Sequence, residues 1–270
     1  MLRFVRADRS HLPQLTALWQ AAFGDKKEVV EQFWKTCFDH IQVFCLLEGN
    51  ALRAMACALP LSYIDPDGEI HRCPYFYAVA TGEKYRGKGL CRSLMLQAEE
   101  ALKQQGAALC CLVPQTEDLF RFYEKLGYQT AFSHEVLHIS AKKQNQIKLR
   151  RIDAAAYENL RQMQLYGDFI SYPELLLQLQ KQAGEQTGAG LYRLESPENV
   201  AVAAAEKWGE TLLIKEMLPL DEALAAHLAA ALGCKEAVVR TMGEVKAFAM
   251  AKSLNGIPLP EKGYLGLAFD

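Results

Sequence analysis

The sequence predicts an α/β protein, an α+β mixed sheet with flanking helices, built as two successive domains. Three observations carry this. The chain has 270 residues, too many for one ordinary small domain and right for two of middling size. Antiparallel-looking β runs give way to a helix, strand, helix and strand in the first half, the pattern of a layered mixed sheet. The second half then restarts the spacing of the first.

Leu2–Arg6 is a short alternating run and the first expected strand. Leu12, Leu15, Leu18 and Trp19 recur at helical spacing, with Asp8 or Ser10 as cap, and Val29–Phe38 continues that pattern. Gln42–Glu48 and Leu52–Ile64 are β-like runs around Gly49-Asn50, and Asp65-Pro66-Asp67-Gly68 is a second turn signal. Cys73–Thr81 is the next strand. Leu90–Gln105 is amphipathic, with Leu90, Leu94, Ala98 and Leu102 on one face and Gly106 placed to end it. Ala107–Val113 reads as a buried strand, Glu117–Leu126 as a helix stopped by Gly127, and Tyr128–Ile139 as a strand.

The polar run at 141–147 is an expected linker between domains 1–140 and 148–270. Arg151, Asp153, Tyr157, Leu160 and Met163 repeat the spacing of Arg6, Asp8, Leu12, Leu15 and Leu18. Thr211–Met217, the helix that follows it and Cys234–Arg240 echo strand, helix, glycine, strand, with Leu218-Pro219-Leu220-Asp221 where the first half has glycines. Two readings stand: a degenerate internal duplication, or the general likeness of any two α/β domains.

Composition excludes several classes. The formal net charge of −2 argues against an electrostatically driven nucleic-acid binder. No apolar stretch reaches about 20 residues, so no membrane span is expected. The eight cysteines sit largely in apolar surroundings, with no CxxC pair and only His134/His138 as a close histidine pair. They read as small hydrophobes in a cytoplasmic protein without a metal site.

Gly82–Leu90 (GEKYRGKGL) is the segment that carries chemistry. As a P-loop it fails at Gly89, which has no hydroxyl for magnesium. As a dinucleotide fingerprint it fails at Arg92, where a third glycine is needed. It fits Gln/Arg-x-x-Gly-x-Gly/Ala as Lys84-x-x-Gly87-x-Gly89, with lysine first. Glycines let the backbone approach a pyrophosphate, helix N-terminal N–H groups point at it, and Arg86, Lys88 and Arg92 add positive charge without a metal.

Together with Phe122-Tyr123-Glu124-Lys125-Leu126-Gly127-Tyr128, this loop makes Tyr75–Phe132 resemble the GNAT superfamily of N-acetyltransferases. The RGKGLCRSLM wording and a second domain lacking the motif look like its enhanced-intracellular-survival branch. The resemblance implies acetyl-CoA as co-substrate and a small-molecule or peptide primary amine as acceptor. It implies that Val79, Ala80 and Thr81 pair with the pantetheine arm and that Arg86, Gly87, Lys88, Gly89 and Leu90 present N–H groups to the pyrophosphate. Thr116 stands where the family often has Asn, which weakens one cofactor contact. Tyr123 would be the general acid for the departing thiolate. As an isolated residue it would read as core packing. Candidate bases are His71 and Glu135, each also readable as structural or exposed, and the C-terminal carboxylate of Asp270, although Leu265–Asp270 also reads as a plain terminal strand; Glu83 is expected to be solvated. Asp25, Glu28, Glu31 and Asp39 border the expected acceptor side, as a cation site or merely a solvated face. The second domain is expected to close the cleft, to mediate homodimerisation, or both. A non-catalytic acyl-CoA-binding module is the competing reading.

Overall fold

The computed structural model describes residues 1–261 and 263–269. Local chemistry sets most element ends. β1 (Leu2–Arg6) leads through an Asp8-capped turn to α1 (Leu12–Phe23), which starts with Pro13 and ends at Gly24 with φ 78°. Then come α2 (Lys27–Cys37), β2 (Gln42–Glu48) and β3 (Ala51–Leu59). The expected run Leu52–Ile64 is broken at Pro60, so β4 (Ser62–Ile64) is a separate strand, because proline cannot donate to a ladder. β5 (Ile70–Arg72), β6 (Tyr75–Thr81), α3 (Leu90–Gln104), β7 (Leu109–Leu112) and α4 (Glu117–Glu124) follow.

The remaining elements are β8 (Gln129–Ser140), β9 (Lys148–Arg151), α5 (Ala154–Gln162), β10 (Phe169–Ser171), α6 (Glu174–Thr187) and β11 (Gly190–Glu195). β12 (Val200–Trp208), β13 (Thr211–Leu218), α7 (Glu222–Ala231), β14 (Glu236–Met242) and β15 (Lys246–Ser253) complete the chain. No helix among the described residues is long and apolar enough to cross a membrane.

The chain divides into two compact units that are not continuous in sequence, unlike the expected 1–140 and 148–270. One comprises Met1–Ser62, His71–Gln129 and Met250–Leu259; the other Tyr63–Ile70, Thr130–Ala249 and Pro260–Asp270. Non-local strand pairing, which periodicity does not encode, makes the difference. In the first unit the strand order is β1-β2-β3-β6-β7 and then the end of β15, whose Met250–Ser253 pairs antiparallel with Leu112–Leu109. In the second it is β9-β11-β12-β13-β14, followed by β8, whose His134–Ser140 pairs antiparallel with Met242–Glu236.

The two units share one connectivity. Setting aside β4, β5 and β10, which form a separate three-stranded sheet, each runs strand, two helices, three strands, helix, strand. In each, the first four strands of that set pair antiparallel and the last pair is parallel: β6 with β7, β13 with β14. Each has its own core. In the first, α3 and α4 bury Leu94, Met95, Ala98 and Tyr123 against Phe44, Ala56, Phe76 and Cys110. In the second, α7 buries Leu224 and Leu228 against Ala203, Ile214 and Val239.

The terminal run differs from the strand expected for Leu265–Asp270. Residues 265–269 form no strand, because side chains take their carbonyls. The Tyr172 hydroxyl reaches Leu265 O at 2.9 Å and also Leu267 O, and Gln180 Nε2 donates to Ala268 O at 3.0 Å. Asp270 lies outside the described residues.

Candidate functional site

The site of the first unit starts at a defect in β6. Tyr77 faces Cys57 and Ala80 faces Met55, so Ala78 and Val79 together stand against Ala56, a β-bulge. Ala78 takes φ 50°, a left-handed conformation that costs an L-residue roughly 1–2 kcal/mol. The bulge turns β6 away from β7, whose pairing with it covers only Tyr75↔Cys111 and Phe76↔Leu112. Two parallel strands that part after two residue pairs leave a groove beside Val79, Ala80 and Thr81. The Val79 side chain packs on the core under α3, Ala80 is buried, and the Thr81 hydroxyl has no hydrogen-bond partner among the described residues.

The groove opens onto the glycine loop. Gly82 N–H donates to Arg53 O at 2.9 Å, and a Cβ at Gly82 would stand 3.2 Å from the Tyr85 ring, so a larger residue there would press on that ring. Lys84 is exposed on the 3-10 turn Glu83–Tyr85. Gly87 and Gly89 have φ 74° and 76°, with nothing within 4 Å of a Cβ built on either. Backbone conformation, not crowding, selects glycine at both. Gly89 is the N-cap of α3 and has no side chain to cap it. The first helical bond runs from Ser93 N–H to Gly89 O, so the N–H groups of Leu90, Cys91 and Arg92 precede the helical ladder. With the dipole of a 15-residue helix behind them, they form a ready anion site.

Charge and aromatic packing shape the loop as well. The Arg53 guanidinium lies 4.3 Å from the Tyr85 ring centroid and Lys88 Nζ lies 5.5 Å from it. Arg53 and Tyr85 were not anticipated from sequence; an Arg–aromatic pair this far apart in the chain leaves no local pattern. Arg86 Nε donates to Thr81 O at 3.2 Å, so the side chain folds back onto the strand end and occupies one lone pair of that carbonyl. Leu90 contributes only backbone, since its side chain is in the core.

Tyr123 sits in the last turn of α4, 7% exposed, edge-on to Phe122 at 5.1 Å and to Tyr128 at 5.6 Å. Burial, with a smaller contribution from the Cys91 thiol, pushes its hydroxyl far above the ordinary value of 10.0. Among the described residues that hydroxyl makes no hydrogen bond. A buried, protonated, uncommitted hydroxyl can donate a proton to a group placed beside it. Thr116 is the N-cap of α4, its hydroxyl accepting from Leu119 N at 3.3 Å, so it serves the helix directly.

The remaining candidates fall elsewhere. Glu135 is on β8 in the second unit, its side chain folded over Gly243. His71 is on β5, and Glu83 is exposed. Of the four early acids, Asp25 accepts from Trp19 Nε1 at 2.7 Å, Glu31 pairs with Lys27 at 3.5 Å, and Asp39 pairs with Arg9 at 2.5 Å. All eight cysteines are free, and only Cys91 is not fully buried.

A bulged strand, a glycine loop and an uncapped helix N-terminus place the first unit in the acetyltransferase fold class. Residues 3–131 match the acetyltransferase (GNAT) domain family. Solved structures agree at the level of fold. A GCN5-related N-acetyltransferase from Anabaena variabilis superposes with a TM-score of 0.74 at 15% identity, over 94% of this chain and 73% of that one. A conserved Enterococcus faecalis protein described as a probable N-acyltransferase gives 0.73 at 17% identity, over 94% and 73%. Eis1 from Mycobacterium abscessus gives 0.69 at 11% identity, over 94% and 74%. No curated protein sequence matches.

Proposed function

We propose that the protein is an N-acetyltransferase that moves an acetyl group from acetyl-CoA to a primary amine by direct attack. The observation that carries this reading is the pairing of the anion site at the start of α3 with the buried Tyr123 hydroxyl. In this reading the first-turn N–H groups of α3 and the loop residues Arg86–Gly89 bind the pyrophosphate, and Lys84, Lys88 and Arg92 add charge. Val79, Ala80 and Thr81 line the arm that carries the thioester. Thr116 acts by fixing the start of α4.

The amine nitrogen attacks the thioester carbonyl and a C–N bond forms. The tetrahedral intermediate collapses, the C–S bond breaks, and Tyr123 gives its proton to the departing sulfur. The proton lost by the nitrogen passes to solvent, and Tyr123 is reprotonated from solvent. An acid whose pKa is pushed upward by burial stays loaded at neutral pH.

The second unit is proposed to be a second copy of the same architecture that has lost the loop. Its matching connectivity supports this. The fold likeness to Eis1 extends over 94% of this chain and so includes the second unit.

The test is thiol release from acetyl-CoA over a panel of primary amines: spermidine, 2-phenylethylamine, kanamycin and a peptide with a free N-terminus. Tyr123→Phe is expected to lower kcat by roughly 10²-fold or more while leaving acetyl-CoA affinity within twofold. Unchanged turnover removes Tyr123 from the mechanism. Binding without turnover of any amine by the unaltered protein favours an acyl-CoA-binding module.

A further inference from the structure

The core of the first unit contains a carboxylate that the proposed chemistry does not use. Glu99 is on the inward face of α3 and is 4% exposed. A carboxylate in such surroundings needs partners. It has two: the Tyr128 hydroxyl donates to Oε1 at 2.9 Å, and Lys252 Nζ donates to Oε2 at 2.5 Å. Cys110 Sγ lies 3.2 Å from the same hydroxyl. Lys252 comes from β15, where it stands opposite Cys110, 153 residues along the chain from Glu99.

The geometry leads to Tyr123. Lys252 Nζ lies 5.7 Å from the Tyr128 ring centroid. A Cβ at Gly127, where φ is 91°, would stand 3.5 Å from Lys252 Cε, so the lysine stem lies along Gly127-Tyr128. The Tyr128 ring meets the Tyr123 ring edge-on at 5.6 Å with an interplanar angle of 67°. Among the described residues the Tyr123 hydroxyl makes no hydrogen bond, so its ring direction is set by packing, and Tyr128, whose N–H also donates to Tyr123 O at 3.1 Å, is the packing partner that is itself anchored.

We propose that Lys252 and Glu99 are positioning residues for the acetyl-transfer site, acting through Tyr128 to hold the Tyr123 ring. This rests on reading Tyr123 as the general acid. A partly buried ion pair such as this is a weak device for stability, since an apolar pair of similar volume often serves as well or better. Its contribution here is direction: it fixes the Tyr128 hydroxyl at one point of an otherwise apolar core. It also makes a residue from the far end of the chain part of the first unit's chemistry.

The test uses the full chain and the best amine of the panel above. Lys252→Met is expected to lower kcat three- to tenfold with KM for acetyl-CoA within twofold, and Lys252→Arg to restore most of the loss. Tyr128→Phe, which keeps the ring and removes the hydroxyl, should match Lys252→Met. In a Tyr123→Phe background, Lys252→Met should lower kcat no further, a non-additivity that a merely structural role does not produce. Full multiplication of the two effects overturns the proposal, as does unchanged kcat in Lys252→Met. A second readout is independent of turnover. In protein labelled with 3-fluorotyrosine, the ¹⁹F signal assigned to Tyr123 by its loss in Tyr123→Phe should shift or broaden in Lys252→Met and return in Lys252→Arg. An unmoved signal overturns the positioning role. If Tyr123→Phe keeps full turnover while the signal moves, the general-acid reading fails and the positioning of the ring stands.

Discussion

Gly87→Glu isolates the phosphate loop from everything around it. Gly87 is exposed, has φ 74°, and a Cβ there meets nothing within 4 Å, so the substituted side chain has room in the free protein. Its intrinsic penalty is the left-handed backbone, about 1–2 kcal/mol. That corresponds to a fall in Tm of roughly 2–8 °C for a chain of this size. Gly68 supplies the control. It is exposed, has φ 83° and equally open space, and lies in the turn that begins at Asp65. Gly68→Glu therefore carries the same strain and the same charge. The two variants should part in ligand binding. A carboxylate placed about 5–7 Å from one phosphate charge opposes it by about 0.6–3.3 kcal/mol at an effective dielectric of about 20–80. A pyrophosphate doubles that, and every 1.4 kcal/mol is tenfold in Kd. Gly87→Glu should thus weaken acetyl-CoA binding by roughly a hundredfold, less at high salt, with Gly68→Glu unchanged. Isothermal titration calorimetry beside thermal melts reads both quantities. Binding by Gly87→Glu within threefold of the unaltered protein, at equal Tm loss in both variants, would refute the loop as the pyrophosphate site.

Other consequences follow from single groups. Because burial raises the pKa of Tyr123 above 10.0, its proton is retained as pH rises, so kcat should show no alkaline fall owed to this residue up to pH 10. A fall with a midpoint below about 9.5 that disappears in Tyr123→Phe contradicts this. Thr116→Ala removes the cap of α4 and should cost about 1 kcal/mol in urea unfolding, while Thr116→Asp keeps the stability; equal stability of the alanine variant would show that the cap is idle. Arg161 and Glu216 are both fully buried and 2.8 Å apart, so Arg161→Met strands a carboxylate and should destabilise the fold by about 3–5 kcal/mol. Adding Glu216→Leu should recover part of that loss, and a double variant worse than the single one would count against the ion-pair account.

The features of this fold that could be read from sequence are those written locally. Asp8 and Asp153 cap the first helical turns of their respective units, as their matched spacing predicts. The loop glycines adopt the left-handed conformations that glycine supplies. Gly24, Gly106 and Gly127 end helices for the same reason. What stayed hidden is non-local or carried by residues without a signature. Ala78 holds the bulge that opens the groove, yet alanine gives no hint of a positive φ. Pro60 split a run that periodicity joined. β15 completes the first unit from the far end of the chain, and no spacing rule pairs Lys252 with Cys110. The stretch between Met163 and Thr211 holds three strands and α6, whose apolar face is interrupted by Gln180 and Gly184. Gly184 is small because a Cβ there would meet Ala205 O at 2.5 Å, a tertiary reason invisible in the helix pattern.

The two units differ in what would make one such fold the proposed cofactor site and the other not, although they share the defect that creates the groove. In the second unit β13 pairs with β14 over Thr211–Ile214, and the register against β12 slips between Ala204 and Ala205, leaving Lys215 extra. Past this bulge, where the first unit has Ala80 beside a groove, the second has Glu216 with no exposed surface. Its carboxylate takes the Tyr157 hydroxyl at 2.6 Å and Arg161 Nε at 2.8 Å, and Gly266 of the terminal run packs against it so closely that no Cβ fits. The following helix starts differently too. Asp221 caps α7 with its own carboxylate, accepting from Leu224 N at 3.0 Å, whereas Gly89 leaves the start of α3 open. A carboxylate at that position satisfies the same N–H groups that would hold a phosphate and repels one that approaches. A pyrophosphate site therefore requires more than the bulged strand and the helix after it. It requires that no side chain of the protein has already taken the helix N-terminus and that no segment of the chain fills the groove, and among the described residues only the first unit meets both conditions.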